Sequence, residues 1–326
     1  MPQAPEWPGR AAVVGAGRMG GGIAEAFAVA GVDVVVADAD PEQGALARER
    51  LVERVRGHVD AGLLPGDALE RVERVRAAGS NAEAAAEADL VVEAVTEDLE
   101  VKRAVLGEVS AAAAPATVIA SNTSSLDIDV LSGFCERPER FVGAHWFNPP
   151  EWTPAVEVIQ ARDSDPAHVE RVREFLAAIG KAPTVVRPAV GFVANRLQMA
   201  LFCEAVRCLE EGLAGVEEID EVARSSFGFR LPFFGPFQIA DMAGLDVYQA
   251  VLESHAEAYG ERFRPGDRLD RLVAGGRTGT SGGAGFYRYQ GDGRDLLVER
   301  DRRYAALARL LEAHPPQRFT PDEEAG

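Results

Sequence analysis

A short apolar run, Ala11–Val14, leads directly into Gly15-Ala16-Gly17-Arg18-Met19-Gly20, and an Ala-rich segment follows to Ala30. A strand that ends in G-x-G-x-x-G and turns at once into a helix leaves a chain little choice of fold. Gly15 permits the tight turn, Gly17 lets backbone approach a pyrophosphate, and Gly20 lets helix and strand pack closely. The helix N-terminus then offers free N–H groups and a partial positive charge to phosphate. Glycine-rich turns at helix starts are common, so the motif needs its context. Gly31 stops the helix, and Val32–Ala37 is an apolar run of strand length ending in Asp38, 18 residues beyond Gly20. A carboxylate there accepts hydrogen bonds from ribose hydroxyls and repels a 2′-phosphate, and Ala39 and Asp40 supply no cation for such a phosphate. The unit is predicted to hold NAD, with Arg18 and Met19 inside the contacting loop.

The rest of the chain extends this start. Residues 42–78 are charged and helical in pattern, broken at Gly62-Leu63-Leu64-Pro65-Gly66, and predict a helical hairpin. Strand-like runs follow at Leu90–Val95, Thr117–Ser121, Arg140–Trp146 and Val156–Gln160, then a helix at Val169–Ile179 and a last strand near Thr184–Arg187. After Gly191 strand patterns vanish, and amphipathic helices are predicted at 192–213, 216–227 and 238–260, with a charged one at Arg294–Ala313. The expected fold is α/β: a doubly wound Rossmann-type domain over 1–188 and an all-helical domain over 189–326. The opening MPQAPEWPGR has no hydrophobic signal core and reads as a loose leader, and PPQRFTPDEEAG at the other end reads as disordered.

Charge and cysteine content narrow the function classes. The 326 residues carry 34 basic and 52 acidic side chains, a net of −18, which argues against a nucleic-acid or anionic-membrane partner. Any anionic substrate must be met by a local cluster of donors. The three cysteines, Cys135, Cys203 and Cys208, follow no metal-ligand spacing, so no metal is expected, and a reduced, cytoplasmic chain is the simplest expectation. No run approaches the ~18 apolar residues of a membrane span.

Three clusters carry chemistry. Ser121-Asn122-Thr123-Ser124-Ser125 follows a strand, His145-Trp146-Phe147-Asn148-Pro149 follows another with Glu157 12 residues on, and Asn195-Arg196 opens the helical half. Removing the proton of a carbinol calls for a base near neutral pH, and histidine is suited to it. A carboxylate can fix its tautomer, while hydroxyl and amide donors hold the substrate oxygen. Each cluster has a plainer reading, as a structural histidine, a helix cap and a helix start. Glu157, however, sits inside the apolar run Ala155-Val156-Glu157-Val158-Ile159, where an unpaired carboxylate is costly, which favours a His145–Glu157 pair.

With these residues in view, the chain resembles the L-3-hydroxyacyl-CoA dehydrogenases up to about Tyr289. The matching motifs are GAGRMGGGI, LVVEAVTEDLEVK, ASNTSSL, HWFNP with VEVI, GFVANR, FFGPFQIADMAGLD and GAGFY. The resemblance implies NAD-dependent oxidation of a 3-hydroxyacyl-CoA, with His145 as base, Glu157 as its partner, and Ser124 and Asn195 orienting substrate. It also implies that Glu97, Lys102, Ser124 and Asn148 lie along the cofactor or the substrate carbonyl, with Asn122 among the cofactor contacts, and that the helical domain forms a homodimer and closes the site.

Departures from the family pattern bear on substrate. Relatives that bind CoA carry lysines in the hairpin, whereas GHVDAGLLPGD has Asp60 and Ala61; the lysine-bearing ending before GFY is replaced by Gly279-Thr280-Ser281-Gly282-Gly283. Val190 replaces a usual proline and Pro154 a common lysine. Arg50, Arg54 and His58 recur on one helical face, either as a solvated stripe or as a contact for CoA phosphates. The His-x-x-Asn-Pro-Pro sequence, with Pro150, also occurs in branches acting on free hydroxy acids such as gulonate. Acyl-CoA and a free or carrier-linked 3-hydroxy acid therefore stand as alternative small-molecule substrates. The β-hydroxyacid dehydrogenases rely on a lysine in the helix that here offers Asn195-Arg196. A non-catalytic NAD-binding protein would have no physical need for the buried charged pair.

Overall fold

The computed structural model describes residues 7–289, 294–317 and 319–320. Its chain divides into two compact units, 1–200 and 201–326. In the first, eight strands form one sheet in the order β3-β2-β1-β4-β5-β6-β7-β8. These are β1 (Arg10–Val14), β2 (Asp33–Ala37), β3 (Arg76–Ala77), β4 (Leu90–Glu93), β5 (Val118–Ser121), β6 (Phe141–Trp146), β7 (Ala155–Ile159) and β8 (Ala182–Val186). Pairing is parallel from β3 to β6, antiparallel between β6 and β7, and parallel again between β7 and β8.

Helices cover both faces, as continuous apolar strands require. The intervening helices are α1 (Arg18–Val29), α2 (Pro41–Asp60), α3 (Asp67–Glu73), α4 (Asn81–Ala86), α5 (Leu99–Ala112), α6 (Ile128–Ser132) and α7 (Pro166–Ala178). Alternation along β1 sends Ala11 and Val13 into the layer with Phe27, Leu51 and Phe175, and Ala12 and Val14 into the layer with Leu106, Ile119 and Leu131. The strand order reverses between β1 and β4, where an open α/β sheet leaves its ligand crevice. The hairpin predicted over 42–78 is α2 and α3, and its last residues add β3 as an edge strand.

Within the stretch expected to be a loose leader, Trp7 is anchored. Trp7 packs edge-on to Phe175 with Arg171 over its ring at 4.2 Å, while residues 1–6 lie outside the described residues.

The second unit forms helices and no named strand among its described residues, in keeping with the expected helical half. α8 (Ala194–Glu210) crosses the division between units, and α9 (Val216–Ala223), α10 (Pro236–Ala243), α11 (Leu245–Tyr259), α12 (Asp267–Ala274) and α13 (Arg294–Ala313) follow. The single helix predicted at 238–260 is two, because Gly244 at φ +104 breaks the turn. α12 has no counterpart among the predicted helices. Much of the 315–326 stretch lies outside the described residues.

Arg140 closes the C-terminal end of α5 from beneath. The residue is 2% exposed, and its guanidinium donates to the carbonyls of Ser110 (2.6 Å) and Ala114 (2.5 Å). Arg140→Leu strands the buried Ser110 carbonyl and removes the bond to Ala114, and urea unfolding is expected to show a loss of about 3 kcal/mol.

Candidate active site

The three motif glycines meet three different demands. Gly15 has φ +99, and a Cβ there would lie 2.6 Å from the Ala94 carbonyl oxygen just past β4. A Cβ on Gly20 would fall 1.9 Å from the Gly15 carbonyl oxygen, so the third glycine lets α1 begin against the turn. Around Gly17 nothing lies within 4 Å of that position. Gly17 is the N-cap of α1, whose first turn has neither a side-chain cap nor an acidic residue. Its N–H groups are therefore available to an anion that backbone can approach closely. Arg18 is exposed in this turn and Met19 half-buried against the core. Asp38, at the end of β2, accepts the Ala16 amide on Oδ2 at 2.9 Å, which fixes its carboxylate beside the loop. An uncapped helix end, an open glycine and a fixed carboxylate followed by Ala39 and Asp40 rather than a cation fit NAD.

A buried charge network supports the next loop. Glu93 and Lys102 are both fully buried, and Lys102 Nζ donates to Glu93 Oε1 at 2.7 Å. The Val95 amide (2.8 Å) and Ser121 Oγ (2.5 Å) complete the Glu93 carboxylate. Lys102 also lies 3.5 Å from Glu97. Glu97 in turn gathers the serine loop on Oε1, accepting from Thr123 Oγ1 (2.6 Å) and from the amides of Ser124 and Ser125 (2.8 Å each). Burial alone would raise the Glu97 pKa, but these hydrogen bonds and the Lys102 charge outweigh it and bring it down to about 2. Glu97 and Lys102 thus support the loop that carries Ser124, and the Lys102 ammonium is wholly enclosed. The expected site residues omit Glu93, although a carboxylate ending the apolar run Leu90-Val91-Val92 is the same signal that singles out Glu157.

His145 and Glu157 are direct cross-strand partners in the β6–β7 register. Period-two alternation therefore points both side chains to one face. Nδ1 of His145 lies 2.9 Å from Glu157 Oε2, and both residues are buried. The second oxygen, Oε1, accepts the amides of Val193 and Ala194, each at 3.0 Å. A carboxylate placed against Nδ1 requires the N–H there, which leaves Nε2 with its lone pair. Among the described residues Nε2 has no hydrogen-bond partner. The rings of Phe147 (4.5 Å) and Phe192 (5.5 Å) flank the imidazole.

The remaining expected residues are distributed around this pair. Asn122 Oδ1 accepts the Trp146 amide at 2.8 Å, tying the end of β5 to β6 beside His145. Asn148, exposed and preceding a cis proline, is in a loop that Lys181 holds. Lys181 Nζ donates to the carbonyls of Pro150 (2.6 Å), Thr153 (3.0 Å) and Glu151 (3.2 Å), a role no sequence signal discloses. Asn195 is half-buried in the first turn of α8, one residue past the amides on Glu157.

Two of the three basic residues in the stripe on α2 are engaged within the chain. Arg54 Nε lies 2.5 Å from Oε2 of Glu25 on α1, and His58 Nδ1 lies 3.1 Å from Oε1. Glu25 is 2% exposed, so Arg54 pairs with a buried carboxylate that His58 also contacts, while Arg50 stays exposed.

The glycine loop stands at the sheet's reversal point, and the buried His–Glu pair lies on β6 and β7, with β4 and β5 between β1 and β6. The chain belongs to the 3-hydroxyacyl-CoA dehydrogenase family: residues 10–189 match its NAD binding domain and 191–289 its C-terminal domain. It is 35% identical over 289 residues to the 3-hydroxyadipyl-CoA dehydrogenase of Escherichia coli K12, a match that covers 88% of this chain and 60% of that protein. The chain thus spans about three fifths of that relative's length. Among solved structures, a 3-hydroxyacyl-CoA dehydrogenase from Archaeoglobus fulgidus superposes with a TM-score of 0.77 at 31% identity, over 93% of this chain and 99% of the other. A 5-formyl-3-hydroxy-2-methylpyridine 4-carboxylic acid 5-dehydrogenase, described as an NAD+-dependent dismutase, gives a TM-score of 0.70 at 32% identity, over 93% and 98%.

The low Glu97 pKa has a definite pH signature. A depressed folded pKa contributes stability above the ordinary carboxylate value of 4.5, lost as pH falls towards about 2. The stability difference between wild type and Glu97→Gln is expected to be constant at neutral pH and to shrink across that window, as measured by urea unfolding at a series of pH values.

Proposed function

We propose that this chain oxidises the 3-hydroxyl of an L-3-hydroxyacyl-CoA to the 3-keto group, reversibly, with His145 as the general base. The observation that carries the reading is the His145–Glu157 pair, with Nδ1 committed to the carboxylate at 2.9 Å and Nε2 left to a substrate. Bound NAD would supply the hydride acceptor. His145 takes the hydroxyl proton on Nε2, and Glu157 stabilises the imidazolium so formed. Ser124 and Asn195 orient the reacting oxygen, Asn122 ties the end of β5 to β6 beside it, and Asn148 lies along the cofactor or the substrate carbonyl. The glycine loop and Asp38 fix the pyrophosphate and the ribose.

A second substrate class, a free hydroxy acid, has its own support. Glu25 consumes Arg54 and His58, so the hairpin offers little positive charge to the phosphates of CoA. The similarity to a dehydrogenase named for a free pyridine carboxylic acid extends over 98% of that protein.

The assembly we propose is a homodimer. α8 buries none of its residues within the chain, and Phe202, Leu213, Val222 and Phe237 are each more than half exposed. A second copy is the simplest cover for so much apolar surface. A cytoplasmic location accords with three unpaired cysteines, and no helix among the described residues is long and apolar enough to cross a membrane.

An absorbance assay of NADH oxidation with acetoacetyl-CoA beside free 3-keto acids tests the substrate, and turnover with acetoacetyl-CoA is expected. Activity only with the free acids would transfer the mechanism to the second class. His145→Gln is expected to abolish turnover while NAD still binds; near-normal turnover would overturn the assignment of the base. Sedimentation is expected to give twice the chain mass.

A further inference from the structure

α8 begins without the Ser, Thr, Asp or Asn that ordinarily caps a helix. The Leu197 amide bonds the Val193 carbonyl at 3.0 Å, which makes Val193 the N-cap and Ala194 the first helical residue. Both amides at that end go to Glu157 Oε1 on a distant strand. One carboxylate thus caps a helix with one oxygen and holds the imidazole with the other.

The residues just before this cap set its direction. Gly191 (φ +69) and Phe192 (φ +48) lie consecutively in the left-handed region. Glycine enters it freely, but a bulky side chain there is uncommon and strained. Phe192 is the one non-glycine residue with positive φ among the described residues. Its side chain is nonetheless 3% exposed, packed into the apolar layer with Ile128 and Ile159, with its ring 5.5 Å from that of His145. A phenylalanine that only filled the core would need no such backbone.

We propose that Phe192 is a positioning residue for the His145–Glu157 pair: its left-handed backbone turns the Val193 and Ala194 amides onto Glu157, and its ring closes one side of the imidazole. The inference rests on the proposed role of His145 and adds a requirement to it. Between Gly191 and Ala194 the chain has two duties, to bring two donors to one oxygen and to keep water off the ring. Phe192 performs both, since backbone direction and ring placement are set at the same residue.

Three variants separate this from ordinary packing. Phe192→Ala removes the ring and the packing that holds the left-handed turn in place, and Phe192→Leu restores bulk. Ala194→Pro deletes one amide donor to Glu157 at a position where proline suits a helix. Each is compared with wild type for kcat and KM, using acetoacetyl-CoA or, if only the free acid turns over, acetoacetate. NADH affinity by fluorescence and thermal unfolding complete the comparison. Phe192→Ala is expected to lower kcat by about 10–100-fold, with NADH affinity unchanged. Phe192→Leu is expected to recover most of the loss, and Ala194→Pro to lower kcat per folded enzyme with only a small fall in unfolding temperature, because the Val193 amide still binds Oε1. Unchanged kcat per folded enzyme in Phe192→Ala and Ala194→Pro overturns the inference. If His145→Gln is inactive in that case, the proposed base stands and Phe192 alone is reassigned to packing.

Discussion

Glu157 carries its carboxylate inside a strand whose neighbours Val156, Val158 and Ile159 are all buried. Such a group survives only with its lone pairs satisfied, and here His145 Nδ1 and two amides satisfy them. The antiparallel register of β6 and β7 brings the two side chains face to face, and the start of α8 supplies the rest. If any of these three elements shifts, a buried charge loses partners. The carboxylate therefore makes the arrangement of β6, β7 and the α8 start interdependent, and the orientation of the imidazole follows from it.

A second buried carboxylate, Glu93 on β4, has a comparable role nearer the middle of the sheet. It binds Lys102 and Ser121, and Lys102 reaches towards Glu97, which collects the loop of Thr123, Ser124 and Ser125. Charge is thus used twice to fix loops at the ends of strands. The apolar strands supply cohesion, while the carboxylates specify geometry, because a misplaced charge costs more than a misplaced methyl.

What can be seen in the sequence is what depends on spacing along the chain. Gly15, Gly17, Gly20 and Asp38 form a local strand–turn–helix–strand unit, and their positions follow from the motif. The pairing of His145 with Glu157 is legible because a charge stands in an apolar run. The same signal is present at Glu93, where no partner is evident from spacing alone. The engagement of Arg54 and His58 is not legible, since their partner Glu25 is on another helix, and only the packing of α2 on α1 brings them together. Likewise α8 shows no cap in its own sequence, because its cap comes from β7. Gly244 splits the predicted helix at 238–260 through a backbone angle that the apolar pattern does not register.

A carboxylate against Nδ1 sets the tautomer of neutral His145, with the proton on Nδ1 and the lone pair on Nε2. Nitrogen-15 NMR of the protein labelled at histidine imidazoles measures this directly. The expected spectrum shows a protonated Nδ1 and an unprotonated Nε2 for His145 in the neutral state, with that preference lost in Glu157→Gln. A neutral His145 carrying its proton on Nε2, or one whose tautomer ignores Glu157, would contradict it.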